Sequence, residues 1–137
     1  MEFKIIGKVQ AKQRPRFYNG RVYTQKQTIN YEQLVKGTFE EYSKIYNWKP
    51  LTGAVRAEID VFIKVPKSDS KKIKDRKIKG VIRPTITPDT DNLAKSILDA
   101  LNGLAYSDDK QVVELEVRKF YSETEEAKVK LIKLEEE

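Results

Sequence analysis

The amino-acid sequence predicts an α+β fold in which a mixed β-sheet carries two packed helices. Two kinds of hydrophobic pattern lead to this prediction. Apolar residues recur at helical spacing over 28–46 and 92–102, whereas residues 54–65 alternate between apolar and mostly polar side chains. Neither an internal repeat nor a linker interrupts the order of elements, so we expect one domain over residues 1–137.

The first third of the chain is predicted to contain a strand, a hairpin and a helix. Residues 1–10 have the pattern of a strand. Asn19-Gly20 is the dipeptide most typical of a two-residue β-turn, and it predicts a small hairpin within the basic, aromatic segment 12–23. The amphipathic helix 28–46 follows.

The middle of the chain combines the clearest strand with its most basic segment. Residues 54–65 fit a sheet with one face on the core and the other mostly in water. Residues 67–79 hold seven lysines and arginines against two aspartates, a net charge of +5, and lack an apolar stripe. We therefore expect an exposed loop there.

The last third is predicted to be a helix followed by two strands. Asp91 is the expected N-cap of the helix 92–102, and Gly103 fits its C-terminal end. The two strands are predicted at 111–121, with Val113, Leu115 and Val117 on one face, and at 127–134, through Ala127, Val129 and Leu131.

The composition favours an anionic partner and restricts the possible chemistry. The net charge of +6 favours nucleic acid over a membrane. With no histidine and no cysteine, Ser-His-Asp catalysis and zinc sites built on those residues are excluded. Any catalysis would rest on carboxylates, lysines, tyrosines or a hard metal ion bound by oxygen.

The expected location is intracellular, in the cytoplasm. No apolar run approaches the roughly 20 residues needed to span a bilayer, so no membrane partner is expected. The first residues are too few and too charged for a signal peptide, and without cysteine there is no disulfide framework.

Acidic residues gather around the start of the second helix. Asp89 and Asp91 flank one residue, Lys95 lies one turn inside, and Asp99 extends the same face. If the short connection after the helix returns the chain to it, Asp109 joins them. Carboxylates held together repel one another unless a cation such as Mg²⁺ or Mn²⁺ compensates. Such an ion beside a lysine suits phosphodiester hydrolysis.

A purely structural interpretation of the same residues stays open. Asp91 would then simply cap the helix, and Lys95 and Asp99 would form an ordinary i,i+4 pair. The segment 107–110 would be an ordinary turn.

Two basic segments are candidate nucleic-acid contacts. In the first, arginines interleave with aromatic residues, which suits phosphates and exposed bases; its candidates are Arg14, Arg16 and Arg21. For Phe17 in this segment we favour a core or cross-strand position. The second segment is lysine-rich, although such a segment is also typical of a solvated surface. Its candidates are Lys71, Lys72, Lys74, Arg76 and Lys77.

Two motifs together resemble a known family. The blocks Thr87–Gly103, containing PDTDNLAK, and Tyr106–Val113, containing SDDKQVV, strongly resemble the RusA-type Holliday junction resolvases. The segments Arg14–Phe17 and Arg21–Thr24 are also similar to the amino-terminal region of members from Gram-positive bacteria and their phages. Either motif alone would be a weak signal, but the combination is specific.

The resemblance implies a function, a cofactor and a set of site residues. Family members are small homodimeric endonucleases that cut four-way DNA junctions symmetrically with Mg²⁺ or Mn²⁺, in recombination and repair. Their essential acidic, metal-binding positions match Asp89, Asp91 and Asp109, and their essential lysine matches Lys95. Asp99 and Asp108 also match acidic positions of the family, and we expect them to support the metal-binding residues.

One position departs from the pattern of the family. Pro88 stands where members from Gram-negative bacteria often have a basic residue, so we expect Arg83 or the segment 67–79 to supply that charge. Two other functions also stay open. The chain could be a structure-general DNA nuclease, or a non-catalytic protein that binds branched DNA and uses its acidic cluster only structurally.

Overall fold

The computed structural model describes residues 1–10, 16–23 and 26–135, which contain six β-strands, three α-helices and a short 3₁₀ turn. The elements in chain order are β1 (Glu2–Ile6), β2 (Arg16–Tyr18), β3 (Arg21–Tyr23), α1 (Lys26–Tyr46), β4 (Val55–Lys64), α2 (Lys71–Ile78), α3 (Thr90–Ala100), the 3₁₀ turn (Asp109–Gln111), β5 (Val112–Ser122) and β6 (Glu126–Lys133).

Strand β4 lies inside a four-stranded mixed sheet with the order β1-β6-β4-β5. It pairs antiparallel with β6 and parallel with β5, and β6 pairs antiparallel with β1. Because its side chains alternate in sequence, one face of β4 is fully buried, through Val55, Ala57, Ile59 and Val61. The predicted α+β class with a mixed sheet is confirmed.

The two predicted helices pack on this sheet. Helix α1 contacts α3 and β1, and α3 contacts β5. Phe39 of α1 meets Phe3 of β1 edge to face, with 5.5 Å between ring centroids. Leu93 and Ile97 of α3 are fully buried, so the rotation of α3 about its axis is fixed by its apolar side.

The expected loop at 67–79 is wrong, because most of it forms the third helix, α2. The Ser70 side chain accepts a hydrogen bond from the backbone N–H of Ile73, which caps the helix. Lys77 Nζ lies 2.6 Å from Asp69 Oδ2. Helix α2 buries none of its residues, which is why the sequence shows no apolar stripe.

The prediction that Val113, Leu115 and Val117 share one face of β5 holds for the last two. Leu115 and Val117 pair with the buried residues Ala57 and Ile59, and Val117 packs against the core, but Leu115 is 47% exposed. Val113 is 61% exposed. Strand β5 is an edge strand, and its pairing with β4 shifts register between Val55 and Arg56, where Val113 has no partner. By contrast, β6 buries its alternating residues as predicted, through Ala127, Val129 and Leu131.

The predicted hairpin is confirmed as a separate two-stranded sheet of β2 and β3. Asn19 and Gly20 form its turn with φ angles of +50° and +73°, as a two-residue hairpin turn with positive φ at both positions requires. None of the helices in the described ranges has the length and apolarity needed to cross a membrane.

Tyr106 ties the end of α3 to the connection that follows. Its ring is fully buried and its hydroxyl donates a 2.7 Å hydrogen bond to the carbonyl of Leu98. We predict that Tyr106→Phe lowers the free energy of unfolding by about 1 kcal/mol, because one buried hydrogen bond is lost while the ring still fills its site. Urea denaturation measures this change. Tyr46→Phe, at an exposed position, is the control and should change stability by less than about 0.5 kcal/mol.

Candidate active site

The start of α3 presents two carboxylates that do not cap the helix. Asp89, not Asp91, is the N-cap residue, so the predicted cap is wrong by two positions. The Asp89 carbonyl accepts from the N–H of Leu93 at 3.0 Å, but its side chain makes no capping hydrogen bond. Asp91 lies in the first turn and is exposed. Helix capping therefore does not account for the presence of either carboxylate at this position.

One side of α3 carries charged residues over its whole length. Asp91, Lys95 and Asp99 are spaced by four residues, and the first and last are about 12 Å apart along the helix axis. Asp91 and Lys95 are exposed and Asp99 is half-buried. Because the apolar side of α3 is packed in the core, this charged side is held towards solvent.

The connection after α3 returns the chain to the helix, as expected, and brings Asp109 to its far end. The backbone N–H of Asp109 donates a 2.7 Å hydrogen bond to Asn102 Oδ1. A hydrogen bond with the Asp99 carboxylate raises the pKa of the Asp109 carboxyl, and partial burial and the Asp108 carboxylate raise it further. Asp108 caps the 3₁₀ turn, and the N–H of Lys110 lowers its pKa.

Gln111 fixes the turn that carries Asp108 and Asp109. Its side-chain oxygen accepts from the N–H groups of Ser107 (2.9 Å) and Asp108 (3.2 Å). Its side-chain nitrogen donates to the carbonyls of Leu51 and Gly53, each at 3.0 Å. Gln111 was not predicted as a site residue, although the spacing Asp108-x-x-Gln111 is the signature of a capping box.

Asp89 opens into a cleft of about 370 Å³ between α3 and the segment after β1. Thr87, Pro88 and Asn92 line one side, and Lys8, Val9 and Gln10 line the other. Lys8 also lines the two neighbouring hollows. Lys8 was not predicted as a site residue, because nothing in the sequence around it indicates that this segment passes beside Asp89.

Pro88 shares its cleft with a cation that was not predicted, Lys8. Arg83 donates to the carbonyl of Lys119 at 2.7 Å, and its guanidinium lies 4.0 Å from the Phe120 ring centroid. It is therefore engaged with β5, whereas Lys8 lies in the cleft with Pro88 and Asp89.

The structure divides the predicted acidic set between the two ends of α3. Asp109 contacts Asp99 and Asp108 at the C-terminal end, whereas Asp89 and Asp91 lie at the N-terminal end. Within the described ranges, no three acidic side chains are grouped closely enough to hold a metal ion. The donor chemistry fits Mg²⁺ or Mn²⁺, because every candidate ligand is a carboxylate.

The basic candidates lie on the β2–β3 hairpin and on α2, and one of them falls outside the described residues. Arg14 is that residue, Arg16 belongs to β2, and Arg21 is exposed on β3. The remaining five lie on α2: Lys71, Lys72, Lys74, Arg76 and Lys77.

Of the five on α2, Lys77 already has partners within the chain. Its ammonium lies 4.6 Å from the Tyr121 ring centroid and donates a hydrogen bond to the Asp69 carboxylate, which raises the pKa of Lys77. Lys71, Lys72 and Arg76 are exposed, so α2 presents these three cations to solvent.

Comparison with known proteins places the chain in a family. A family model described as endodeoxyribonuclease RusA matches residues 7–132. The chain belongs to the RusA endodeoxyribonuclease family. The RusA match runs from the segment before Lys8 to the last strand, and so contains every element of the candidate site. The resemblance seen in the sequence motifs is therefore confirmed.

A relative of similar length is an uncharacterized protein, YqaN, from Bacillus subtilis (strain 168). It is 39% identical over 132 residues, which cover 90% of this chain and 89% of the relative. This likeness adds no activity to the family assignment.

We predict that Gln111→Glu destabilises the protein by about 1–3 kcal/mol. The substitution replaces the side-chain NH₂ group, which donates two hydrogen bonds, with a carboxylate oxygen that faces the carbonyls of Leu51 and Gly53. Denaturation followed by the fluorescence of Trp48, the single tryptophan, measures the effect. The control is Gln33→Glu, which makes the same charge change at an exposed position of α1. Equal stability of the two variants would mean that Gln111 does not hold the turn.

Proposed function

We propose that this RusA-family protein is a Mg²⁺-dependent endonuclease that resolves four-way DNA junctions by paired, symmetric nicks, with Mn²⁺ as a substitute ion. The observation that supports this most is the start of α3. There Asp89 and Asp91 are exposed, neither side chain makes a capping hydrogen bond, and Asp89 shares a cleft with Lys8. An uncommitted carboxylate and a cation in one cleft suit a metal ion and a phosphate together.

Asp89, Asp91 and Asp109 are the proposed ligands for divalent ions. Asp89 and Asp91 lie at the N-terminal end of α3 and Asp109 lies towards its C-terminal end, so in this arrangement they do not share one ion. The crowding of Asp109 against Asp99 and Asp108, which raises its pKa, is the repulsion that a divalent cation would relieve. When bound, the ion would supply Lewis acidity and positive charge at the phosphate. Asp99 and Asp108 would act as positioning residues, because both contact Asp109.

Two lysines would act on the phosphate directly. Lys95 is exposed one turn after Asp91 on the charged side of α3, where its ammonium can offset negative charge that develops on the phosphate oxygens. Lys8 would bind a phosphate from the other side of the Asp89 cleft. Lys8 would thereby supply the positive charge that other members often carry at the position of Pro88.

The basic segments would bind the arms of the junction. Arg14, Arg16 and Arg21 and the cations of α2 would contact DNA phosphates, so binding should weaken steeply with salt. A homodimer would place two identical sites about a two-fold axis. A four-way junction needs two equal cuts, which such a pair supplies.

We predict that Asp91→Asn lowers the rate of junction cleavage by at least about 100-fold while junction binding is retained, because the charge of a metal ligand is lost. Cleavage of a labelled synthetic four-way junction in Mg²⁺ measures the rate. Asp75→Asn, on exposed α2, is the control with the same charge change.

Three outcomes would contradict the proposal. The first is an unchanged rate in Asp91→Asn, and the second is cleavage by the wild type in EDTA. In the third, the wild type would cut Y-shaped or linear DNA as fast as the intact junction, which would show a structure-general nuclease instead.

We predict that Lys8→Gln lowers kcat/KM for junction cleavage by about 10-fold, as expected for the loss of one charge-assisted phosphate contact. Lys8→Arg should restore most of the loss, because it keeps the positive charge. Lys4→Gln removes an equal charge from an exposed position of β1 in a different hollow and should have a small effect. If Lys4→Gln lowers kcat/KM as much as Lys8→Gln, the effect is overall charge and not a contact in the cleft.

A further inference from the structure

The β2–β3 hairpin displays apolar side chains that a folded chain normally buries. Phe17 pairs across the hairpin with Val22, as the sequence allowed, but the two are 75% and 67% exposed and so lie outside the core. Tyr18, which pairs with Arg21, is 66% exposed. Exposed aromatic residues at neighbouring positions form a surface suited to a binding partner.

The charge of the hairpin indicates which partner fits this surface. Residues 16–23 contain two arginines and no acidic residue. Flat aromatic rings beside arginines suit nucleic acid, because the rings stack on bases while the cations contact phosphates. A second copy of the chain fits less well, since an isologous contact would place two positive hairpins against each other.

Both ends of the hairpin connect to residues beside the Asp89 cleft. Gln10 lines the cleft before the hairpin, and after it Asn30 and Tyr31 of α1 line the adjoining hollow with Lys8 and Gln10. Six residue steps join Gln10 to Arg16, so β2 begins at most about 20 Å from Gln10. About six stacked base pairs span that distance. The hairpin is therefore within reach of DNA of ordinary length bound at Asp89.

We propose that the β2–β3 hairpin is a base-stacking element: Phe17 stacks on nucleobases exposed at the branch point of the DNA and makes the protein prefer branched over linear substrates. This inference rests on the proposed function for its substrate. Bases inside a continuous duplex are stacked on one another and offer no free face to Phe17. A branch point interrupts the stack, so the hairpin contributes to binding only there.

The test compares binding to a four-way junction with binding to a linear duplex of the same length and composition, in EDTA so that no cleavage occurs. Phe17→Ala should weaken junction binding by about 10-fold, the effect of losing one stacked base, and leave duplex binding unchanged. Phe17→Trp should restore junction binding because the indole also stacks. Tyr46→Ala, at another exposed aromatic residue, should change neither.

The results separate this inference from the proposed function. If the wild type cleaves junctions in Mg²⁺ but Phe17→Ala keeps its junction preference, the inference is wrong and the function stands. If the wild type fails to cleave but Phe17→Ala loses the preference, the hairpin stacks on branched DNA and the nuclease proposal is wrong. Equal weakening of junction and duplex binding would also overturn the inference, because it would show a general contact.

Discussion

One end of the candidate site depends on an unfavourable contact, the proximity of the Asp109 carboxyl group to those of Asp99 and Asp108, which raises the pKa of Asp109. Neighbouring like charges repel one another, so other interactions must hold them in place. Here the backbone N–H of Asp109 is held by Asn102, and the turn is held by Gln111 through four hydrogen bonds. The fold thus holds together carboxyl groups that repel one another, and the repulsion is what a bound cation would relieve under the proposed function.

Helix α3 links the core to the chemistry. Its buried residues, among them Leu93 and Ile97, fix its rotation and so direct Asp91 and Lys95 outward. The segment after β1 then passes beside its N-terminus and brings Lys8 to the cleft of Asp89. The same packing that stabilises the protein therefore determines which charges face one another. A core substitution that rotates α3 would damage the site without touching a charged residue.

Much of the fold could be predicted because burial leaves a periodic signal. Strands β4 and β6 and helices α1 and α3 bury one face each, and their patterns identified them. Helix α2 buries nothing and depends on the Ser70 cap and an ion pair, so periodicity could not show it. The exposure of β5 follows from its position at the edge of the sheet. The position of Lys8 follows from the packing of the segment after β1 beside α3. Both depend on elements distant in sequence.

The most direct test of the central claim is whether the carboxylates at the two ends of α3 bind divalent ions. Mn²⁺ titration followed by electron paramagnetic resonance measures ion binding to the wild type, Asp91→Asn and Asp109→Asn without any DNA. Our account predicts that the wild type binds Mn²⁺ and that each single variant binds less Mn²⁺ than the wild type. Mn²⁺ binding to both variants with wild-type affinity would contradict it.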